Sequence, residues 1–356
     1  MKIKDIPLNS ELDKTYIDFI NLHRAHPTNL DSYHWQFSYL PKQSVITGLV
    51  EDDKVLGTQC MMPIEVITPQ GEMVSGKCEN SYLDKSLRGK NQFSKLFEYA
   101  REDCKKKGLK MLWAFTPAIK PYSRLGFKVY HHALLSSLLY INYPSLGKIL
   151  AGKKGLSFVK GIVAYLFLLL SVSLLKIKLL SRKAFSKNEG YSVMQHEKNA
   201  GDVEGLNEKI RESYPSYIQL KHSKKYLDWR VDNNPNQKFS QRFYYDNDEL
   251  IAYCQFYPDH GFISLGNLLC HDEKYLVAVV FELISHLQSA GEKGLIYHGN
   301  IENELNAKIF GLFENLSLRK THRQGQHFVY YFSEYEEQPE IEAASWFINN
   351  LWTEGY

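Results

Sequence analysis

Two tryptophans, Trp35 and Trp229, each open a segment with the same internal spacing, and this duplication limits the available folds more than any other feature. A proline follows six positions after each (Pro41, Pro235), an aspartate 17 positions after (Asp52, Asp246) and a cysteine 25 positions after (Cys60, Cys254), so every pair is offset by 194. Both copies read as a helix end, a strand, an acidic turn and a second strand. The turns, Glu51-Asp52-Asp53-Lys54 and Asp246-Asn247-Asp248-Glu249, lie between apolar runs and have the composition of tight hairpin connections. A repeat on that scale means a tandem pair of similar domains. A length of 356 residues is long for one domain and comfortable for two.

The pattern continues through each copy. Tyr16, Phe19, Ile20 and His23 share one stripe, which predicts an amphipathic helix from Leu12 to His26. Strands are expected over Ser44–Glu51, Val55–Thr68 and Val74–Leu83. A helix follows over Gln92–Lys107, with Phe93, Leu96, Phe97 and Ala100 at helical spacing and Gly108 as its C-terminal cap. A short apolar strand (Leu109–Phe115), a short helix (Lys120–Leu125) and a closing strand (Val129–Tyr143) complete the copy. The second copy repeats the order: strands at Arg242–Tyr245, Leu250–Tyr257 and Phe262–Cys270, a helix at Tyr275–Ala290 ended by Gly291, a strand at Leu295–His298, a helix at Glu304–Leu316 and a last strand at His327–Phe332.

Between the third strand and the helix of the first copy runs Leu87-Arg88-Gly89-Lys90-Asn91-Gln92-Phe93. Basic residues and a glycine at a helix N-terminus suit a loop whose backbone N–H groups face a phosphate. About thirty residues on comes Ala118-Ile119-Lys120-Pro121-Tyr122-Ser123-Arg124-Leu125-Gly126-Phe127. Strand, acidic turn, two strands, basic-glycine loop, helix, strand, Tyr-x-x-x-Gly-Phe and strand, in that order, resemble the GNAT N-acetyltransferase superfamily. The likeness covers residues 3–145 with motifs and 191–335 by element order. The family loop reads approximately Arg/Gln-x-x-Gly-x-Gly/Ala. Arg88 holds its first place, Gly89 and Lys90 match a frequent Arg-Gly-Lys variant, Asn91 stands where glycine is usual, and Phe93 replaces the last small residue. Phe93, and the Trp229-Arg230…Pro235 segment, resemble acetyltransferases of bacterial surface-polysaccharide loci.

The resemblance implies an α/β fold of tandem GNAT-like domains, each a mixed, mostly antiparallel sheet flanked by helices. The expected units are an acyl-coenzyme A-binding domain (1–145), an apolar helical linker with basic flanks (146–190), a degenerate second domain (191–335) and a C-terminal helix (336–356). The implied reaction is transfer of an acetyl group from acetyl-CoA to an amine. The acceptor would be a small molecule such as an amino-sugar or another cell-envelope precursor. Backbone groups near Tyr82 and Leu83 would hold the pantetheine arm, and N–H groups from Arg88 through Gly89, Lys90, Asn91 and Gln92 to Phe93 the pyrophosphate. Tyr122 would protonate the departing thiolate, and Glu79 would act as general base. The family's asparagine upstream of the tyrosine is absent, since the segment reads Phe115-Thr116-Pro117-Ala118. In the second copy Leu269-Cys270-His271-Asp272-Glu273-Lys274-Tyr275 has no glycine and two acids that would repel a pyrophosphate, so that half is expected to bind no coenzyme. The rival reading is a non-catalytic binding protein that keeps the architecture, peripheral at a membrane.

Other chemistries find little support. A net charge of +3 is too small to argue for nucleic acid. Five cysteines without C-x-x-C spacing argue against a disulfide framework or zinc site. No nucleophile elbow, Walker loop or dinucleotide fingerprint is present. His23 and His26 read as a partly buried stripe rather than a metal site, and His131 and His132 as strand neighbours that point to opposite faces. Residues 1–30 contain no signal-peptide pattern, and a cytoplasmic setting is expected. Gly161–Leu175 carries no charge and is flanked by Lys153, Lys154 and Lys160 before and by Lys176, Lys178, Arg182 and Lys183 after. Fifteen helical residues span roughly 22 Å, short of the ~30 Å hydrocarbon core. Two readings stay open: a helix packed between domains, or a helix over 156–180 lying in an anionic leaflet at the inner face of the membrane. The tail, with Ile341, Trp346, Phe347, Leu351 and Trp352, is either an interfacial helix or a packing arm.

Overall fold

The computed structural model describes residues 1–24, 27–38, 43–143, 158–186, 194–195, 200–316, 323–324, 326–335 and 337–353. His26, Pro41, Lys153 and Lys154 lie outside them. The chain order begins β1 (Lys2–Asp5), α1 (Leu12–Asn21), α2 (Leu30–Ser38), β2 (Val45–Glu51), β3 (Lys54–Thr68) and β4 (Gly71–Leu83). It continues with α3 (Gln92–Lys106), β5 (Met111–Thr116), α4 (Ile119–Arg124), β6 (Lys128–Tyr130), β7 (Leu135–Tyr140) and a long helix, α5 (Phe158–Ser186). The second half contains β8 (Met194–Gln195), α6 (Ala200–Ser213), β9 (Gln219–Leu220), α7 (Lys224–Leu227), β10 (Ser240–Asp246), β11 (Glu249–Asp259) and β12 (Phe262–Cys270). Then follow α8 (Glu273–Ser289), β13 (Gly294–Gly299), α9 (Glu304–Leu316), β14 (Arg323–Gln324) and β15 (His327–Phe332).

Local chemistry places the boundaries. Asp52 and Asp53 take φ of 47° and 58°, and Asn247 and Asp248 take 47° and 67°. Both hairpins therefore close through two left-handed residues, the conformation that matches the strand twist. Helix α3 ends where Gly108, at φ 69°, lets its N–H reach Lys105 O while that of Leu109 reaches Cys104 O. Gly291 and Glu292 close α8 the same way onto Gln288 and Leu287.

The two sheets mirror each other. One runs β1-β2-β3-β4-β5-β15-β6, and the other β14-β7-β13-β12-β11-β10-β8. All neighbours are antiparallel except the parallel pairs β4–β5 and β12–β13, β6 and β14 included. The single closing strand expected over Val129–Tyr143 is two strands in two sheets. His132, at φ 54°, turns the chain after β6, and β7 then pairs with β13 of the other half. Reciprocally, β15 leaves the second half and inserts between β5 and β6. Each sheet is completed by a strand of the other half. His131 and His132 thus occupy the turn rather than a strand, with both rings near His327, at 5.2 and 4.7 Å.

Trp35 and Trp229 meet where the halves join. Trp35 Nε1 donates to the Trp229 carbonyl at 3.1 Å, Trp229 Nε1 donates to the Trp35 carbonyl at 3.0 Å, and the rings stack at 5.6 Å. This reciprocity is what a local two-fold axis produces. Beside it one main core joins residues of both sheets, among them Cys60, Trp113, Tyr253 and Leu268, and a smaller core under α3 and α4 joins Phe97, Cys104, Tyr122 and Phe127.

The tail is a packing arm. Its described residues, 337–353, hold a tight turn at Ala343–Ser345 and a four-residue helix at Asn350–Thr353, where one helix was expected over 336–356. Buried asparagine side chains take carbonyls that a helix would have used. Asn300 donates to Ala343 O and Trp346 O, Asn303 to Ala344 O, and Asn306 to Ile348 O. Trp346 and Trp352 are buried against Phe328, and Trp352 also against Trp113. No helix among the described residues is long and apolar enough to cross a membrane.

Candidate active site

Strands β4 and β5 pair only at Ser75–Met111, Gly76–Leu112 and Lys77–Trp113. Beyond that point β4 continues to Leu83 and β5 to Thr116 without a shared ladder. Within the freed part of β4, Asn80 adopts φ 47° and the register against β3 slips between Thr58 and Cys60. A bulge of this kind bends a strand and redirects its side chains. Cys78 and Ser81 therefore face the α3–α4 side, where Ser81 Oγ meets Tyr122 Oη at 3.1 Å. Asn80 and Tyr82 face α1: Asn80 donates to Tyr16 Oη at 3.1 Å, and Tyr82 stacks on His23 at 5.3 Å. The divergence opens a cleft of about 630 Å3, of a size that suits a small-molecule ligand.

The loop at the cleft mouth starts with Asp84, whose carboxylate accepts from the Ser86 N–H and hydroxyl at 2.8 and 2.6 Å. The amides of Arg88 and Lys90 are engaged inside the loop, with Lys85 O and Leu87 O. Gly89 holds φ 78°, a conformation that strains any side chain, and Asn91 holds φ 56° at the N-cap of α3. Lys95 N–H is the first in α3 to bond back, to Asn91 O. The amides of Gln92, Phe93 and Ser94 thus form the open first turn of a helix, an anion-binding end.

Of the residues singled out by sequence, Tyr82, Leu83, Arg88, Gly89, Asn91, Gln92, Phe93 and Tyr122 converge on the cleft. The exposed Lys90 does not line it, and Glu79 stands outside its lining. The Glu79 carboxylate bonds the Lys77 ammonium at 2.6 Å, and that ammonium sits 5.9 Å over the Trp113 ring, on the sheet face away from Tyr122. The Phe93 ring does not close the turn. It leans on Phe97 and Tyr122, at 6.1 and 6.2 Å, and leaves the cleft open above it. Sequence reading did not single out Ser81, Thr116 or Arg124, which also line the cleft. Ser81 acquires its direction from the bulge, and no local pattern announces that bulge.

Tyr122 is buried, and burial raises its phenol above the ordinary value; the Cys78 thiol adds to this and the Ser81 hydrogen bond opposes it. It remains a proton donor at neutral pH. His23, beside Tyr82, is lowered first by desolvation and then by the Arg88 guanidinium, so its ring is neutral there. Arg88 and Arg124 give the mouth of the cleft positive charge, which favours an anionic ligand.

The second half has the same divergence with different contents. Pairing of β12 with β13 covers only Ile263–Leu295, Ser264–Ile296 and Leu265–Tyr297. Beyond it lies the tail, where Asn349 bridges to Gly299 of β13 and its side-chain amide donates to Asn267 Oδ1 of β12. At the start of α8, the Asp272 carboxylate accepts the Lys274 N–H at 2.9 Å, so the helix end carries its own anion.

No family model and no curated protein sequence matches this chain. Solved structures do. A conserved protein of Enterococcus faecalis V583, described as a "Probable N-Acyltransferase", superposes with a TM-score of 0.62 at 10% identity, over 94% of this chain and 72% of its own. A GCN5-related N-acetyltransferase from Anabaena variabilis ATCC 29413 gives 0.59 at 10% identity, over 93% and 73%. A tandem GNAT protein from the clavulanic acid biosynthesis pathway gives 0.55 at 11% identity, over 92% and 97%. With its two mirrored mixed sheets, each opened beyond a short parallel pair, this chain has the fold of the tandem GNAT proteins.

Proposed function

We propose that the chain is an acyl-CoA-dependent N-acyltransferase, moving an acetyl group from acetyl-CoA to an amine through the cleft of its first half. The observation that carries this reading is the open divergence of β4 and β5, with a helix N-terminus at one end and the Ser81–Tyr122 pair on its wall. The amides of Gly89 and of Gln92 to Ser94, helped by Arg88 and Arg124, would hold the pyrophosphate. The freed backbone of β4 at Tyr82 and Leu83 would take the pantetheine arm and bring the thioester to the gap between the strands. The amine would approach from the α1 side, where Glu79, Tyr82 and His23 lie, and attack the thioester carbonyl. Its proton would pass to Glu79, directly or through water, and the Tyr122 phenol would protonate the departing thiolate. Holding both substrates in line supplies much of the rate. The filled second cleft and the capped end of α8 support a single coenzyme site. The acceptor class, an amino-sugar or similar envelope precursor, rests on the subgroup resemblance.

The test is a screen of amines with acetyl-CoA, read as release of free thiol. Thiol release that depends on an amine and falls in Tyr122→Phe supports the reading. Acetyl-CoA binding with no turnover on any amine would favour a binding protein instead.

A further inference from the structure

Helix α5 is packed on one side only. Val172, Leu175 and Leu179 are buried, and the helix contacts α8, α9 and β7. Around the other side Val163, Leu166, Phe167, Leu170, Ile177 and Leu180 are exposed by 61, 57, 40, 55, 59 and 69%. Val163, Leu166, Phe167 and Leu170 share one helical face, and Ile177 and Leu180 resume it two turns on, so that together they run roughly 26 Å along the axis at 1.5 Å per residue. A helix apolar on both faces is normally enclosed, and six exposed large apolar side chains along one helix face mark a surface that something covers.

Charge identifies the occupant. Residues 144–188 contain nine Lys and Arg and no Asp or Glu, in a chain whose net charge is only +3. Two of these cations are fixed at the edges of the helix: Lys176 lies 4.3 Å over the Tyr143 ring, and Lys178 bonds the Asn315 carbonyl. Two copies of so cationic a segment would oppose each other across a shared interface. A leaflet of anionic lipid supplies both an apolar layer for the stripe and negative head groups for the lysines. Docking against the second sheet and the lysines within the helix fit a helix lying along the surface, not through it.

We propose that the exposed face of α5 docks the protein on an anionic lipid leaflet, with the stripe at the acyl-chain boundary and the lysines among the head groups. The experiment is flotation of the full chain with phosphatidylcholine vesicles with and without about 30% phosphatidylglycerol, at low and high salt. The chain is expected to float with the anionic vesicles, less so at high salt, and weakly with phosphatidylcholine alone. The double variant Leu166→Glu/Leu170→Glu should partition on the order of tenfold or more less strongly, with its circular dichroism and melting temperature retained. A milder pair, Ile177→Ser/Leu180→Ser, gives the same readout if the first misfolds. Absence of flotation overturns the proposal, as does equal flotation of the folded variants. A wild-type dimer in light scattering that these substitutions dissociate also overturns it, because the occupant is then a second copy.

Discussion

Tyr122 and Gly89 concentrate the chemistry of the proposed site at the scale of single residues. Removing the buried hydroxyl in Tyr122→Phe deletes a proton donor while leaving the ring and the loop in place. It should lower kcat by about 10²-fold with little change in acetyl-CoA affinity, by steady-state kinetics and calorimetry. Gly89→Val forces a branched side chain onto φ 78° at the mouth of the cleft and should weaken acetyl-CoA binding about tenfold or more, without loss of the core. His222 gives a pH signature. Burial lowers it from 6.5 to about 3, and its Nε2 meets Asn267 Nδ2 at 2.8 Å. Above pH 6.5 both folded and unfolded forms leave it neutral. As pH falls from 6.5 toward 3 the unfolded chain takes up a proton that the folded chain refuses, so stability drops by up to ~1.4 kcal/mol per pH unit. Urea melts at pH 7 and 4.5 should show a smaller loss for His222→Gln than for the parent chain. Tyr122 and Gly89 were marked in the sequence by the family resemblance of their segments. Ser81 was not, because its orientation depends on a bulge at Asn80 that one asparagine among many does not signal.

Among elements, the hairpins and helix ends follow directly from residue type: Asp-Asp and Asn-Asp at paired left-handed positions, and Gly108 and Gly291 beyond α3 and α8. The pairing of the two halves follows from the duplicated tryptophans, which exchange indole N–H bonds with each other's carbonyl. Trp229→Phe keeps an aromatic ring but leaves the Trp35 carbonyl without that donor. It should cost ~1–3 kcal/mol in urea unfolding, and a neutral result would demote the pair to incidental contact. Strand membership was not legible. The patterns of Val129–Tyr143 and His327–Phe332 mark both as strands, yet nothing local says that the first breaks at His132 or that Leu135–Tyr140 and His327–Phe332 each complete the opposite sheet. The same holds for the tail, whose apolar residues fit an interfacial helix equally well until the carbonyl acceptors of Asn300, Asn303 and Asn306 are known.

The exchanged strands make the whole molecule a single mechanical unit. The first sheet needs β15 between β5 and β6, and the second needs β7 beside β13. Unfolding should therefore be one transition in denaturant, with far-UV ellipticity and tryptophan fluorescence coincident; two separated transitions would mean that the halves stand alone. One half keeps its strand divergence open, while the other has it filled by the tail, so the coenzyme claim concerns one cleft per chain. Calorimetric titration of the intact chain with acetyl-CoA tests that claim most directly. Saturable binding at one site per chain is expected, strongly weakened by Gly89→Val; no binding heat and no shift in melting temperature at millimolar acetyl-CoA would rule the coenzyme site out.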